Sequence, residues 1–115
     1  MDCIFCKIAN HEVPSTIVAE NEYAIAFEDL SPVAPVHVLV IPKMHISNVL
    51  DLNDENIKYV SEIHKMIKEV AKIKNLDESG FRVITNCGED GGQTVYHLHY
   101  HVIGGKALGP KIIQD

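Results

Sequence analysis

The segment Tyr96-His97-Leu98-His99-Tyr100-His101-Val102-Ile103-Gly104-Gly105 places three of the chain's seven histidines at alternate positions. Successive side chains of a strand point to opposite faces, so His97, His99 and His101 share one face while Leu98, Tyr100 and Val102 share the other. The alternation predicts one long strand over 94–103 with its apolar face in a core. Alternate residues then stand about 7 Å apart with their side chains aimed together. Imidazoles so arranged can bind metal, relay protons or attack phosphorus near neutral pH, whereas an isolated histidine on such a strand is usually a hydrogen-bonded structural residue.

Upstream of this strand, Cys87 to Gly92 reads as a loop carrying Gly88, Gly91 and Gly92. Its backbone N–H groups can cradle an anion, although glycines in such loops also serve positive φ angles. Phe81 to Asn86 reads as another strand. From Asn53 to Lys74 the apolar residues Ile57, Val60, Ile63, Ile67 and Val70 recur at helical spacing, with Asp51 and Asn53 as caps and Lys72 and Lys74 at the negative end. Earlier still, Ser15–Glu20 and Tyr23–Glu28 read as strands joined by a two-residue turn at Asn21-Glu22. Pro32 and Pro35 interrupt pairing before a buried strand at His37–Ile41, and Cys3 to Ile8 has the spacing of one or two helical turns. The order is helix, three strands, long helix, two strands. Strands joined by hairpins with one long helix predict an α+β fold with an antiparallel five-stranded sheet, not repeated βαβ units.

A length of 115 residues fits one domain spanning 1–115. A net charge of −6, with aromatics at 6% and no Trp, opposes binding to nucleic acid or to anionic membranes. The opening residues show no basic segment followed by a long apolar run, nowhere is there an apolar run of membrane-spanning length, and three cysteines are too few for a disulfide scaffold, so export and membrane insertion are not expected. A cytoplasmic location is the expectation.

The ladder and the glycine loop before it resemble the histidine triad family of nucleotide-binding hydrolases and transferases. Phe27-Glu28-Asp29-Leu30-Ser31-Pro32 and the stretch from Pro35 through His37 and His45 to Ile46 resemble the same family, so the likeness covers about the first 105 residues. Gly92-Gln93-Thr94-Val95-Tyr96 and Gly104-Gly105 are similar to its Hint-like branch, in a zinc-containing form of bacterial type. The tail 106–115 lacks aromatic residues and departs from that branch. The resemblance implies a HIT-like fold and a homodimer in which two sheets join.

For function, the resemblance implies cleavage of purine nucleoside phosphoramidates or adenylated compounds to the monophosphate through a nucleotidyl-histidine. His99 would be the nucleophile, His101 would bond a phosphate oxygen, His97 would complete the catalytic triad, and His37 would support it. Gly92, Gln93, Thr94 and the backbone of Val95 would line the phosphate site, with Thr94 near the leaving group. Asn86 would contact ribose or phosphate, Asp29 would accept from the ribose hydroxyls, and Ile4, Phe5, Ile8 and Leu30 would form an apolar slot for the base. The alternatives are a dinucleoside polyphosphate hydrolase, a nucleotide-binding protein with vestigial hydrolysis, and a zinc-only structural protein.

Cys3-x-x-Cys6 puts two thiols on one helical face, which suits half of a tetrahedral zinc site and equally suits two reduced core thiols or a redox pair. The resemblance implies His45 and His97 as the other two ligands of a closed, structural zinc. Cys87, His11 and His64 receive no role.

Overall fold

The computed structural model describes residues 3–113. Its elements are α1 (Ile4–Ala9), β1 (Ile17–Glu20), β2 (Ala24–Glu28), β3 (Val36–Pro42), a short 3₁₀ turn (Val49–Asp51), α2 (Lys58–Ile73), β4 (Phe81–Ile84) and β5 (Tyr100–Gly104). The five strands form one sheet in the order β1-β2-β3-β5-β4, with every neighbouring pair antiparallel.

Period-two alternation divides the core in two. Ala24 and Ala26 of β2, Val38 and Val40 of β3, and Tyr100 and Val102 of β5 face α2, where Ile63, Met66, Ile67 and Val70 cover them. The alanines give the helix room to approach. Ile25, Phe27, Leu39 and Ile41 point the other way, onto Phe5, Ile8 and Cys3. His37 and His101 share that second face.

Three boundaries differ from the sequence reading, each for a local reason. The β1–β2 register sets Glu20 opposite Ile25, so Asn21 pairs with Ala24 and the two-residue turn is Glu22-Tyr23, not Asn21-Glu22. Asn21 instead closes the turn, its Oδ1 accepting from the N–H groups of Tyr23 and Ala24. At the long helix, Asn53 is the cap: its Oδ1 accepts from the N–H of Glu55 and of Asn56, while Asn56 Oδ1 accepts from the Asn53 N–H, a reciprocal box. The next bonds, Tyr59 to Asn56 and Val60 to Ile57, have the tight 3₁₀ spacing, so regular α-helix begins only at Lys58. It ends at Ile73, and Asn75, left-handed at φ 59°, turns the chain away, with Leu76 donating back to Ala71 and Asn75 to Lys72.

The third difference bears on the site. The long strand predicted over 94–103 is regular only from Tyr100, and His97 lies in a bend before it. Ladder bonds are replaced by others: the Leu98 N–H donates to Ile46 O, the carbonyl of His97 accepts from the His99 ring, and the carbonyl of His99 accepts from the Thr85 hydroxyl. The alternation of faces survives the loss of the ladder, since Leu98 is fully buried on the α2 side while His97 packs against Phe5. No helix of the described residues is long and apolar enough to cross a membrane.

Candidate functional site

Antiparallel pairing of β3 with β5 sets Leu39 opposite His101 and His37 opposite Ile103, so the two histidines are diagonal neighbours on one face. Their rings lie 5.1 Å apart, and His101 lies 5.1 Å from His99. Hydrogen bonds fix the protons. The N–H of Val33 donates to His37 Nδ1 (3.2 Å), so the proton of that ring sits on Nε2, which donates to His101 Nδ1 at 2.9 Å. His101 must then carry its own proton on Nε2. His99 donates from Nδ1 to the carbonyl of His97 at 2.7 Å, which leaves the Nε2 lone pair of His99 uncommitted. The site therefore presents a nucleophilic nitrogen beside an N–H donor, both set by backbone groups. Phe5 buttresses His99 edge-on, with ring centroids 5.1 Å apart.

Burial, then the neighbouring His99 and His37, push His101 down to about 4, against the opposing pull of Asp29. A neutral ring suits a relay that needs Nδ1 as an acceptor. Unfolded, the same ring takes its proton near pH 6.5, so between these values the unfolded chain binds more protons and acid favours unfolding. The contribution is complete above about pH 6.5 and is lost as the pH falls toward 4, with a ceiling of about 3 kcal/mol. Denaturant titrations at pH 7 and pH 4.5 should therefore show a smaller acid loss for His101→Asn than for the parent; equal losses would contradict the assignment.

The glycine loop packs beside this face, and Gly91 is required there: a Cβ would fall 2.4 Å from the carbonyl oxygen of Cys87. Gly92 sits at φ +80°, and Asn86 ties the loop by donating to Gly91 O at 2.6 Å. Gln93, assigned to the phosphate site from sequence, is buried with its amide engaged internally. It donates to Ser47 O and Val95 O and accepts from the Gly88 N–H and from Asn48. It shapes the loop from beneath, and its backbone N–H is likewise engaged, donating to Gly88 O at 3.0 Å. Thr94 is exposed and, with Val95, lines an open cavity of about 450 Å³ beside Ile4 and His45.

On the other side of Ile4, an apolar slot of about 240 Å³ brings together Ile4, Phe5, Ile8, Phe27, Leu30 and Leu39, with Asp29 at its edge. Leu30 is 97% exposed, an apolar side chain held in water next to an apolar groove. Asp29 accepts from the Ser31 N–H through Oδ1, and its Oδ2 lies 3.5 Å from His37 Nε2.

Below the triad, the ligand atoms of Cys3, Cys6, His45 and His97 lie within 4.8 Å of one another. Cys3 Sγ is 3.3 Å from His97 Nδ1, and Cys6 Sγ is 3.3 Å from His45 Nδ1 and 3.5 Å from His97 Nδ1. Sulfur and nitrogen bound to one tetrahedral zinc stand about 3.6 Å apart, so donor set and spacing both fit that ion. His97 Nε2 donates to Pro42 O at 2.8 Å, which turns the Nδ1 lone pair toward the thiols. Burial and the contact with Cys3 push the Cys6 thiol up to about 11, a preference that a divalent cation reverses by binding the thiolate. Burial, with the charges of His45 and His99, pushes His97 down to about 4 despite its bond to Pro42, and a neutral ring is the form that binds metal.

Sequence reading missed the backbone of Val33 and Pro42, the hydroxyl of Thr85 and the role of Phe5 against the histidines. Only Phe5 carried a signal, as an apolar residue at helical spacing beside Cys6. The other three act through main-chain geometry or through a β-branched residue typical of any strand.

The chain is similar to known proteins over nearly its whole length. The family model described as "Scavenger mRNA decapping enzyme C-term binding" matches residues 2–113. A purine nucleoside phosphoramidase of Escherichia coli K12 is 39% identical over 111 residues, 96% of this chain and 93% of that protein. Among solved structures, a histidine triad protein from Clostridium difficile is 56% identical with a TM-score of 0.93, covering 96% of both chains. A HIT family hydrolase from Clostridium thermocellum is 53% identical with a TM-score of 0.95, covering 97% of both.

Proposed function

The chain belongs to the histidine triad family, and from that membership we propose that it is a Hint-like nucleotide hydrolase, cleaving purine nucleoside phosphoramidates or related adenylated compounds to the nucleoside monophosphate. The observation that carries this reading is the paired tautomers: an uncommitted Nε2 on His99 next to an Nε2–H on His101. The 39% identity to a phosphoramidase supports the substrate class.

In the first step the His99 lone pair attacks the α-phosphorus. The new P–N bond forms as the bond to the leaving amine breaks, and the amine takes a proton from solvent. Positive charge that develops on the His99 ring is stabilised by the carbonyl of His97, which already accepts its Nδ1–H. Charge on the phosphoryl oxygens is met by His101 Nε2–H, oriented through His37 from the Val33 N–H. Water then attacks phosphorus, the bond to His99 breaks, and the monophosphate leaves with release of a proton. Thr94, Gly92 and the Val95 backbone line the phosphate and leaving-group side, Asn86 holds the loop, and Asp29 accepts from the ribose. The base lies in the slot of Ile4, Phe5, Ile8 and Leu30. Cys3, Cys6, His45 and His97 would hold a zinc ion through four protein ligands, and the ion would serve to fix α1 and the His97 bend.

A homodimer is part of the same reading. The stripe of α2 is already covered by its own sheet, which leaves the outer edge of β4, with Phe81, Val83 and Ile84 exposed, as the surface for a second copy. Steady-state AMP release from an adenosine phosphoramidate and from diadenosine polyphosphates, run in parallel, tests the substrate class. Phosphoramidate cleavage should be faster; faster cleavage of the dinucleotide would move the chain to a polyphosphate hydrolase, and no turnover of either would defeat the enzyme reading.

A further inference from the structure

Ser15 stands just before β1, at the wall of the apolar slot, and its hydroxyl oxygen is enclosed without any hydrogen-bond partner. Among the described residues no other enclosed side-chain nitrogen or oxygen is left in that state. Folded proteins pair nearly all such groups because an unmade bond costs free energy, so a single exception in the wall of a groove calls for a physical cause. Most of the residues that line the slot with it offer no partner: Pro14 has no N–H, and Phe5, Ile8, Phe27 and Leu39 are apolar. The other polar side chains of the slot are already committed, Glu28 to Lys74 at 2.6 Å and Asp29 to the Ser31 N–H. A serine χ1 has three staggered wells, and turning from one to another breaks no bond here, since none exists.

We propose that Ser15 reads the base. On this proposal, which rests on the slot being the base site, the hydroxyl turns into the groove when a purine enters and bonds a polar atom on the ring edge, while the ring faces lie on the apolar walls. As a hydroxyl it can donate to a ring nitrogen or accept from an exocyclic amine, so it favours a heteroaromatic base over an apolar ring of equal size. The unpaired group is thus a cost carried by the free protein and removed on binding.

Calorimetric titration of the full chain and of Ser15→Ala with AMP and with ribose 5-phosphate, plus melting curves of both proteins, tests this. The variant should bind AMP about 3- to 10-fold more weakly, the range of one neutral hydrogen bond, and bind ribose 5-phosphate as the parent does. Its melting temperature should stay level or rise, because an unpaired buried hydroxyl has been removed. Unchanged AMP affinity would overturn the role of Ser15, and so would equal weakening of both ligands, which would make the residue structural. A parent protein that binds neither ligand would instead overturn the nucleotide reading on which the proposal stands.

Discussion

Replacing His99 by alanine should reduce turnover of an adenosine phosphoramidate by about 10⁴-fold or more, since loss of a covalent nucleophile removes the pathway and leaves only binding and charge stabilisation. The fold should persist. His99 lies at the margin of the apolar cluster, and the variant forfeits edge contacts with Phe5 and His101 worth about 1 kcal/mol each. AMP binding should survive in large part, because the slot keeps Ile4, Ile8, Phe27, Leu30 and Leu39 even though Phe5 loses its edge contact with the ring. Steady-state rates and AMP titration on the same preparation separate these effects. An active variant would contradict the mechanism, whereas an unfolded one would point to a structural role for the ring. His101→Ala should cost less, about 10² to 10³-fold, as expected for loss of one charge-stabilising donor.

Removing the metal has the second large expected effect. The protein purified without chelator should contain one zinc per chain, and stripping it should lower stability by about 3 kcal/mol or more, the linkage expected when the ion is present at a hundred times its dissociation constant. For a domain of this size that is a fall of roughly 10 °C in melting temperature. Cys6→Ser should reproduce the fall and no longer respond to added zinc, which distinguishes lost coordination from a simple packing defect. Activity should drop only in part, through the His97 bend whose carbonyl orients His99. A protein free of metal as isolated, with a melting temperature indifferent to zinc, would contradict the assignment.

The same residues show where sequence suffices. Period-two patterning identified the faces of β5 because side-chain alternation is a local property of an extended chain. It overextended β5 because alternation reports extended backbone and not pairing. Between 94 and 99 an imidazole and a hydroxyl supply the carbonyl partners that a neighbouring strand would otherwise provide. The Asn53 cap was legible, while the tightening of the first helical turn was not, since it depends on a side-chain reciprocity between Asn53 and Asn56. Cys3 and Cys6 announced themselves by spacing, but His45 and His97 are 39 and 91 residues from Cys6 and meet it only through the sheet. Gln93 shows what sequence does not carry: its place beside the glycine loop is legible, while the internal bonds of its amide become visible only in three dimensions. Ser15 is invisible to sequence altogether, because an unmade hydrogen bond is a property of surroundings.

The account turns on two displacements at phosphorus through His99, and the stereochemistry of the product tests that most directly. Each in-line attack inverts the phosphorus centre, so two in succession restore it. Hydrolysis of a nucleoside phosphoramidate made chiral at phosphorus by two oxygen isotopes, run in water enriched in the third, should therefore give a chiral monophosphate of retained configuration. Inversion would mean a single direct attack by water and would contradict the covalent role of His99.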